Sequence, residues 1–222
     1  MVRDGIYYAL GLAAAAAALA YLAGPWWALP PLLLAGFFLW FFRDPERVIP
    51  SEPGLVVAPA DGKVTSASVV EIEGKPCARI SIFLNVFDVH VNRSPVSGRV
   101  QKVEYKSGKF LNAMNEACAE CNEQNVATLE SGGENIILKQ IAGLLARRIV
   151  FTKKAGDPVE RGERVGMMKF GSRTDVVLSP QARLMVKIGD RVKGGSSVLA
   201  KLPEAPTGEL AEQHAEMAGQ RA

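Results

Sequence analysis

Hydrophobic and polar positions divide the chain into two regimes. From Gly5 to Phe42 no side chain carries a charge, and Gly24-Pro25 splits the run into two apolar legs. Each leg is near the ~17–25 residues a helix needs to cross a bilayer, and a Gly-Pro pair interrupts helices. The pattern predicts a hydrophobic helical hairpin over residues 1–42, acting as a membrane anchor. After Arg43 the runs shorten. Gly54–Val57, Lys63–Ile72, Ala78–Leu84, Gly98–Tyr105, Asn135–Ile141 and Arg147–Phe151 are apolar or alternating and are punctuated by Gly, Pro, Asn and Asp. That predicts short strands of a mainly β, barrel-sandwich-like domain over residues 43–202. Ser131-Gly-Gly-Glu134 predicts a hairpin turn. Phe110 to Cys121 is the best helical candidate, and residues 203–222 read as a flexible tail.

Two segments echo each other. Gly156-Asp-Pro-Val-Glu-Arg-Gly162 and Gly189-Asp-Arg-Val-Lys-Gly-Gly195 share the pattern Gly-Asp-x-Val-x-x-Gly, each followed by a return strand. Glycine there supplies the positive φ a tight turn needs.

Charge refines the anchor. Arg3 precedes the first leg while Arg43 and Arg47 follow the second, so the positive-inside bias puts both ends, and the β domain, on the cytoplasmic side of the cell membrane. A secretory signal would have one shorter apolar region and a small-residue cleavage site, whereas a second leg rich in Trp and Phe follows here. The net charge of +3 is too small to argue for nucleic acid. Cys77, Cys118 and Cys121 suit a reducing compartment rather than a disulfide framework. Cys118-x-x-Cys121 lacks a second ligand pair, so no metal is expected.

The histidines are His90 and His214, and His214 lies in the polar tail. His90 sits where an apolar strand runs into an Asn/Arg/Ser/Pro turn, and histidine is the usual general base near neutral pH. Asp61, in Pro59-Ala-Asp-Gly62, reads either as a turn residue bonding nearby backbone or as a carboxylate orienting an imidazole. Ser172, in Lys169-Phe-Gly-Ser-Arg-Thr-Asp175, would then be the nucleophile, although no Gly-x-Ser-x-Gly elbow surrounds it.

Several blocks in one order carry a resemblance: Phe41-Phe-Arg-Asp-Pro-Glu-Arg47, Pro59-Ala-Asp-Gly62, Phe83 to Pro95, Gln140 to Arg148, Gly162-Glu-Arg-Val-Gly166 and Phe170-Gly-Ser-Arg-Thr-Asp175. From about Phe41 to Leu202 the chain resembles the short form of the phosphatidylserine decarboxylase proenzymes. Longer members carry Leu-Gly-Ser-Thr where this chain has Phe-Gly-Ser-Arg, and a second histidine where it has Arg93. The resemblance implies self-cleavage between Gly171 and Ser172 into two chains that remain a heterodimer. It further implies a pyruvoyl group made from Ser172, conversion of membrane phosphatidylserine to phosphatidylethanolamine and CO2 through a Schiff base, and His90 and Asp61 as partners of Ser172. A homo-oligomer of that heterodimer is compatible with the resemblance.

Loss of CO2 from an amino acid needs an electron sink, and no standard side chain is one, so a self-made carbonyl fits the lack of a cofactor motif. Phe83, Phe87 and Phe170 are candidates for the substrate carboxylate's surroundings, with Arg43, Arg47, Arg147 and Arg148 for the lipid phosphate. The rival readings are a membrane-anchored adaptor that stays uncut and a zinc peptidase on a related β scaffold, the latter short of histidines.

Overall fold

The computed structural model describes residues 2–72, 74–111, 121–144, 148–169 and 171–203. Most of the helix expected over Phe110 to Cys121, the tail beyond Pro203, and Cys118, Arg147, Phe170 and His214 lie outside the described residues.

Helix α1 (Arg3–Ala23) is built from alanine and leucine, strong helix formers, and ends at Gly24, whose φ of 106° no alanine would hold. A 3-10 turn (Pro25–Ala28) follows, then α2 (Leu29–Phe41), with proline in its first turn. The expected hairpin is present, but its legs differ. With 21 residues at 1.5 Å each, α1 reaches ~31 Å and has the length to cross a bilayer. The 13 residues of α2 reach only ~20 Å, because the prolines turn the start of that leg into a reversal.

The hairpin closes tightly at its base. Tyr8 packs on Phe38 and Phe42 with centroids 5.3 and 5.7 Å apart, and the Val2 N–H donates to the Phe42 carbonyl at 3.1 Å. A Cβ on Gly5 would stand 2.5 Å from Phe42 Cβ, so only glycine permits this approach. Phe41 and Phe42 are buried with Val89, Val91 and Met167, which joins the hairpin base to the β domain.

The domain contains strands β1 (Leu55–Val57), β2 (Gly62–Ile72), β3 (Lys75–Leu84), β4 (Val91–Arg93), β5 (Gly98–Lys106), β6 (Gln124–Ser131), β7 (Glu134–Ile141), β8 (Ile149–Phe151), β9 (Pro158–Val159), β10 (Arg164–Met168), β11 (Ser172–Leu178), β12 (Arg183–Leu184), β13 (Arg191–Val192) and β14 (Val198–Lys201). Eight form a curled half-barrel in the order β13-β2-β3-β11-β7-β6-β5-β9; β4-β10-β8 and β1-β14-β12 make smaller sheets. The hairpin expected at Ser131–Glu134 joins β6 to β7, with Gly132 and Gly133 at φ 60° and 83°.

The half-barrel has an approximate two-fold internal symmetry that explains the echoed turns. The Asp157 side chain accepts from the Lys154 N–H at 2.8 Å, and Asp190 does the same for Lys187 at 3.0 Å. Gly156 N–H bonds the Val100 carbonyl as Gly189 N–H bonds that of Val64. Each turn thereby docks a short strand, β9 or β13, onto an outer long strand, β5 or β2. Ile80, Ile82, Leu129, Leu138, Val176 and Leu199 fill the space between, each contributing ~1.5–3 kcal/mol on burial.

Candidate active site

Strand β11 runs between β3 and β7, the middle of the half-barrel. Cross-strand partners share a face and neighbours along a strand alternate. Leu178 and Val176 therefore point inward with Ala78, Ile80 and Leu138, and further along the same face come Thr174, opposite Ile82 and Gln140, and Ser172, opposite Leu84. The interior is apolar at one end of β11 and polar at the other. There Asn125 donates to Gln140 Oε1 at 3.1 Å, and Gln140 Nε2 donates to Asn92 Oδ1 at 2.9 Å and to the Val150 carbonyl at 3.2 Å. Ser172 Oγ, Thr174 Oγ1 and Asn92 Nδ2 are buried beside this chain with no hydrogen-bond partner among the described residues. Each such group costs ~1–3 kcal/mol in an apolar interior, so their concentration marks chemistry rather than packing.

Upstream of Ser172 the backbone is held in an unusual shape. Gly171 has φ +66°, a left-handed conformation that disfavours side chains. The Met168 N–H, at the end of β10, donates to the His90 carbonyl at 3.1 Å. Two sheets thus meet around this point: Met168, bonded to His90, ends a strand of one, and Ser172 starts the next strand in the other.

His90 is fully buried, its ring 4.3 Å from that of Phe41, and neither ring nitrogen has a partner of hydrogen-bonding geometry among the described residues. Burial pulls its pKa down to about 4; the Asp88 backbone opposes this and the Arg43 charge adds to it. At neutral pH the imidazole is uncharged and has a lone pair available. The Asp88 carbonyl acts on it through its dipole, at a geometry short of a formed bond.

The other expected residues are placed as follows. Asp61 does not bond His90. Its oxygens take Arg47 Nη2 at 2.8 and 2.9 Å, and Oδ1 also accepts the Gly194 N–H at 2.8 Å. The expected partners were nearby backbone or an imidazole, whereas a cation from the segment after the hairpin occupies the carboxylate. Arg93 is likewise a clamp, donating to Asp44 Oδ1 and the Gly162 carbonyl, both at 2.9 Å. Burial lowers its pKa, and Asp44 partly offsets this. Phe83 pairs with Arg173, so it lies on the opposite face of the sheet from Ser172. Phe87 is exposed at the tip of a turn, its ring 6.0 Å from that of Trp40. Arg43 lies 4.3 Å over the Trp40 ring and donates to the Phe87 carbonyl at 2.6 Å. Arg148 is exposed. Arg173 is buried and forked onto Asp175, with Nε–Oδ1 at 2.6 Å and Nη2–Oδ2 at 3.0 Å.

A family model for phosphatidylserine decarboxylase matches residues 34–200. The proenzyme of that name from Solibacter usitatus is 56% identical over 201 residues, covering 90% of this chain and 96% of its own. The chain belongs to the phosphatidylserine decarboxylase family. It is therefore a pyruvoyl-dependent carboxy-lyase made as a proenzyme, and the adaptor and peptidase readings fall. Proenzymes from Symbiobacterium thermophilum, 48% identical over 80% of this chain and 86% of theirs, and Cupriavidus pinatubonensis, 46% over 82% and 86%, are also similar.

For the decarboxylase the polar end of β11 fits a serine-derived group. Ser172 is enclosed, and donors on Asn92 and Thr174 stand on its side of the sheet. Among the described residues no three His, Cys, Asp or Glu side chains gather as for a metal. A cleft of about 420 Å³ between Glu52, Ser131 and Leu202 holds none of these residues. Sequence reasoning missed Asn92, Asn125, Gln140 and Thr174; polar side chains at inward positions of otherwise apolar strands were the available signal.

Proposed function

We propose that this chain cuts itself between Gly171 and Ser172 and then decarboxylates phosphatidylserine to phosphatidylethanolamine at the polar end of β11. The supporting observation is Ser172: a fully buried, unpartnered hydroxyl at the head of the central strand, directly after a left-handed glycine.

Ser172 Oγ adds to the Gly171 carbonyl, and neutral His90 takes the hydroxyl proton. The C–N bond breaks as His90 passes that proton to the departing Ser172 nitrogen, and the amide becomes an ester with a free amine at residue 172. Loss of the Ser172 α-proton expels the Gly171 carboxylate and leaves a dehydroalanine end, which water hydrolyses to a ketone and ammonia. Both products stay in one fold, because β11 is bonded on both sides to strands of the larger piece.

The pyruvoyl group, once formed, supplies a carbonyl that binds the substrate amine and accepts the electrons released with CO2. His90 then accepts the amine proton and later returns one to the α-carbon. Asn92, Gln140 and Thr174 orient the reacting end, and burial excludes water. Asp61 acts through Arg47, fixing the segment that joins hairpin to domain. Arg43, close enough to lower the His90 pKa and seated on Trp40 beside the hairpin, suits the lipid phosphate, with Arg148 as a second cation. The apolar hairpin anchors the site at the bilayer on its cytoplasmic side, since each lipid methylene drawn into water would cost ~0.8 kcal/mol.

Intact-mass measurement of purified wild-type and Ser172→Ala chains tests this reading. Wild type should give two pieces, the smaller with a blocked, ketone-bearing end, and the variant one uncut chain. A wild-type enzyme active as one unbroken chain, or a Ser172→Ala chain that still splits there, would overturn it.

A further inference from the structure

The segment that carries the cut is also gripped from the start of the chain. Lys169 is buried, its side chain 10% exposed, with Nζ 2.8 Å from Asp4 Oδ2. Its ammonium lies 5.1 Å from the Phe42 ring centroid and 5.7 Å from that of Tyr8. Asp4 is in the first turn of α1, where a carboxylate complements the helix dipole. Its backbone is held, since Gly5 is pressed on Phe42 and Val2 is hydrogen-bonded to Phe42, while the Asp4 side chain itself is 46% exposed. A buried ammonium requires a carboxylate, and Asp4 is its ion-pair partner among the described residues.

We propose that Asp4 is a positioning residue for self-cleavage: through Lys169, the seated base of the membrane hairpin holds the backbone before Ser172 in its reactive shape. This rests on the reading that the chain cuts between Gly171 and Ser172. The bridge from β10 to β11 is fixed downstream by the Ser172–Leu84 register and upstream by Met168 and His90. Among the described residues a further tether is the Lys169 side chain, two positions before Gly171. Without Asp4, Lys169 gains by turning out to water, and the bridge turns with it. The pair has a second consequence. Asp4 and Lys169 both belong to the larger product, so Lys169, two residues before the new carboxyl end at Gly171, keeps its tether to α1 after the cut.

The test is the rate at which full-length chain, synthesised in a cell-free system with phosphatidylcholine vesicles, converts from one band to two. Wild type, Asp4→Asn, Asp4→Glu and the exchange Asp4→Lys with Lys169→Asp are compared, with flotation and melting of each in its uncut Ser172→Ala form. Asp4→Asn should cut about tenfold more slowly, the change produced by ~1.4 kcal/mol of lost positioning. Asp4→Glu and the exchange should recover most of the rate, while flotation stays the same throughout. Asp4→Asn cutting at the wild-type rate would overturn the proposal. So would slow cutting that neither rescue variant restores, or slow cutting accounted for by lost flotation or melting. Wild type remaining uncut would instead remove the self-cleavage reading itself, whatever the Asp4 variants did.

Discussion

Asp61 and Ser97 hold the same position in two copies of one loop. Pro59-Ala-Asp-Gly62 and Pro95-Val-Ser-Gly98 are related by the internal symmetry, and each third residue caps a backbone amide of the turn it faces. Ser97 Oγ accepts from the Arg161 N–H at 2.9 Å, and Asp61 Oδ1 accepts from the Gly194 N–H at 2.8 Å. What Asp61 adds is charge, and the charge is met by Arg47. The symmetry therefore separates two roles within one carboxylate.

Substituting in either direction should resolve them. Asp61→Ser keeps the cap and loses the largely buried ion pair, at ~1.5–3 kcal/mol; Asp61→Ala loses both, at ~3–5 kcal/mol. Denaturant unfolding of the uncut Ser172→Ala background measures each. Equal losses for Ser and Ala would mean that the cap contributes nothing and the loops are alike in shape only.

Buried His90 predicts acid sensitivity with a definite window. Unfolded, its imidazole takes a proton near 6.5; folded, only near 4. Between those values unfolding binds a proton, so stability present above pH 6.5 is lost as pH falls towards 4. At 1.36 kcal/mol per pH unit the loss reaches about 3 kcal/mol. The difference in unfolding free energy between the uncut chain and its His90→Gln counterpart, followed from pH 7 to 4, isolates the effect. Parallel curves would show that the ring is not held neutral. If His90 is the base, self-cleavage should also persist below pH 6.5, failing only near 4.

Arg173 and Asp175 form an ion pair on the outer face of β11, 3% and 1% exposed at the side chains, with Ser81 Oγ accepting from the guanidinium at 2.8 Å. Arg173 is thereby committed to the fold. Asp175→Asn removes the carboxylate that faces a buried guanidinium and should destabilise by ~3–5 kcal/mol, whereas Arg173→Met with Asp175→Leu should cost less. Melting of the three uncut chains gives the order; Asp175→Asn melting with wild type would show that the pair is solvated.

These residues also show where the sequence could be read and where it could not. The apolar hairpin, strands β2, β3, β5 and β7 and the paired Gly-Asp-x-Val turns were legible, because uncharged length, alternation and glycine placement are local properties. Strand β11 was not: no predicted run covers Ser172–Leu178, yet that segment is the central strand. Its first inward residues, Ser172 and Thr174, are polar, so apolar alternation breaks down where the chemistry begins. β6 escaped for the same reason, since Gln124 and Asn125 stand where a packing strand would carry apolar side chains. Motif similarity singled out Ser172, His90 and Asp61 as candidates but not the ion-pair partner of Asp61, because Arg47 meets it through the fold. Asp4 and Lys169, 165 positions apart, left no local trace at all.

Gly171 offers the most direct separation of shape from space. Its φ of +66° penalises a side chain, yet a Cβ there would meet nothing within 4 Å. Gly171→Ala therefore brings no clash, only the ~1–2 kcal/mol that a left-handed alanine costs. The uncut form should fold with that small loss. Because relief of the penalty means rotating the carbonyl that Ser172 attacks, conversion to two pieces should slow by about tenfold, as ~1.4 kcal/mol implies. Asparagine tolerates the left-handed region far better, so Gly171→Asn should cut faster than Gly171→Ala although its side chain is larger. A time course on denaturing gels decides between the two orders. If the rate follows side-chain size instead, with asparagine the slower, crowding at the bond governs cleavage and the left-handed backbone before Ser172 is incidental.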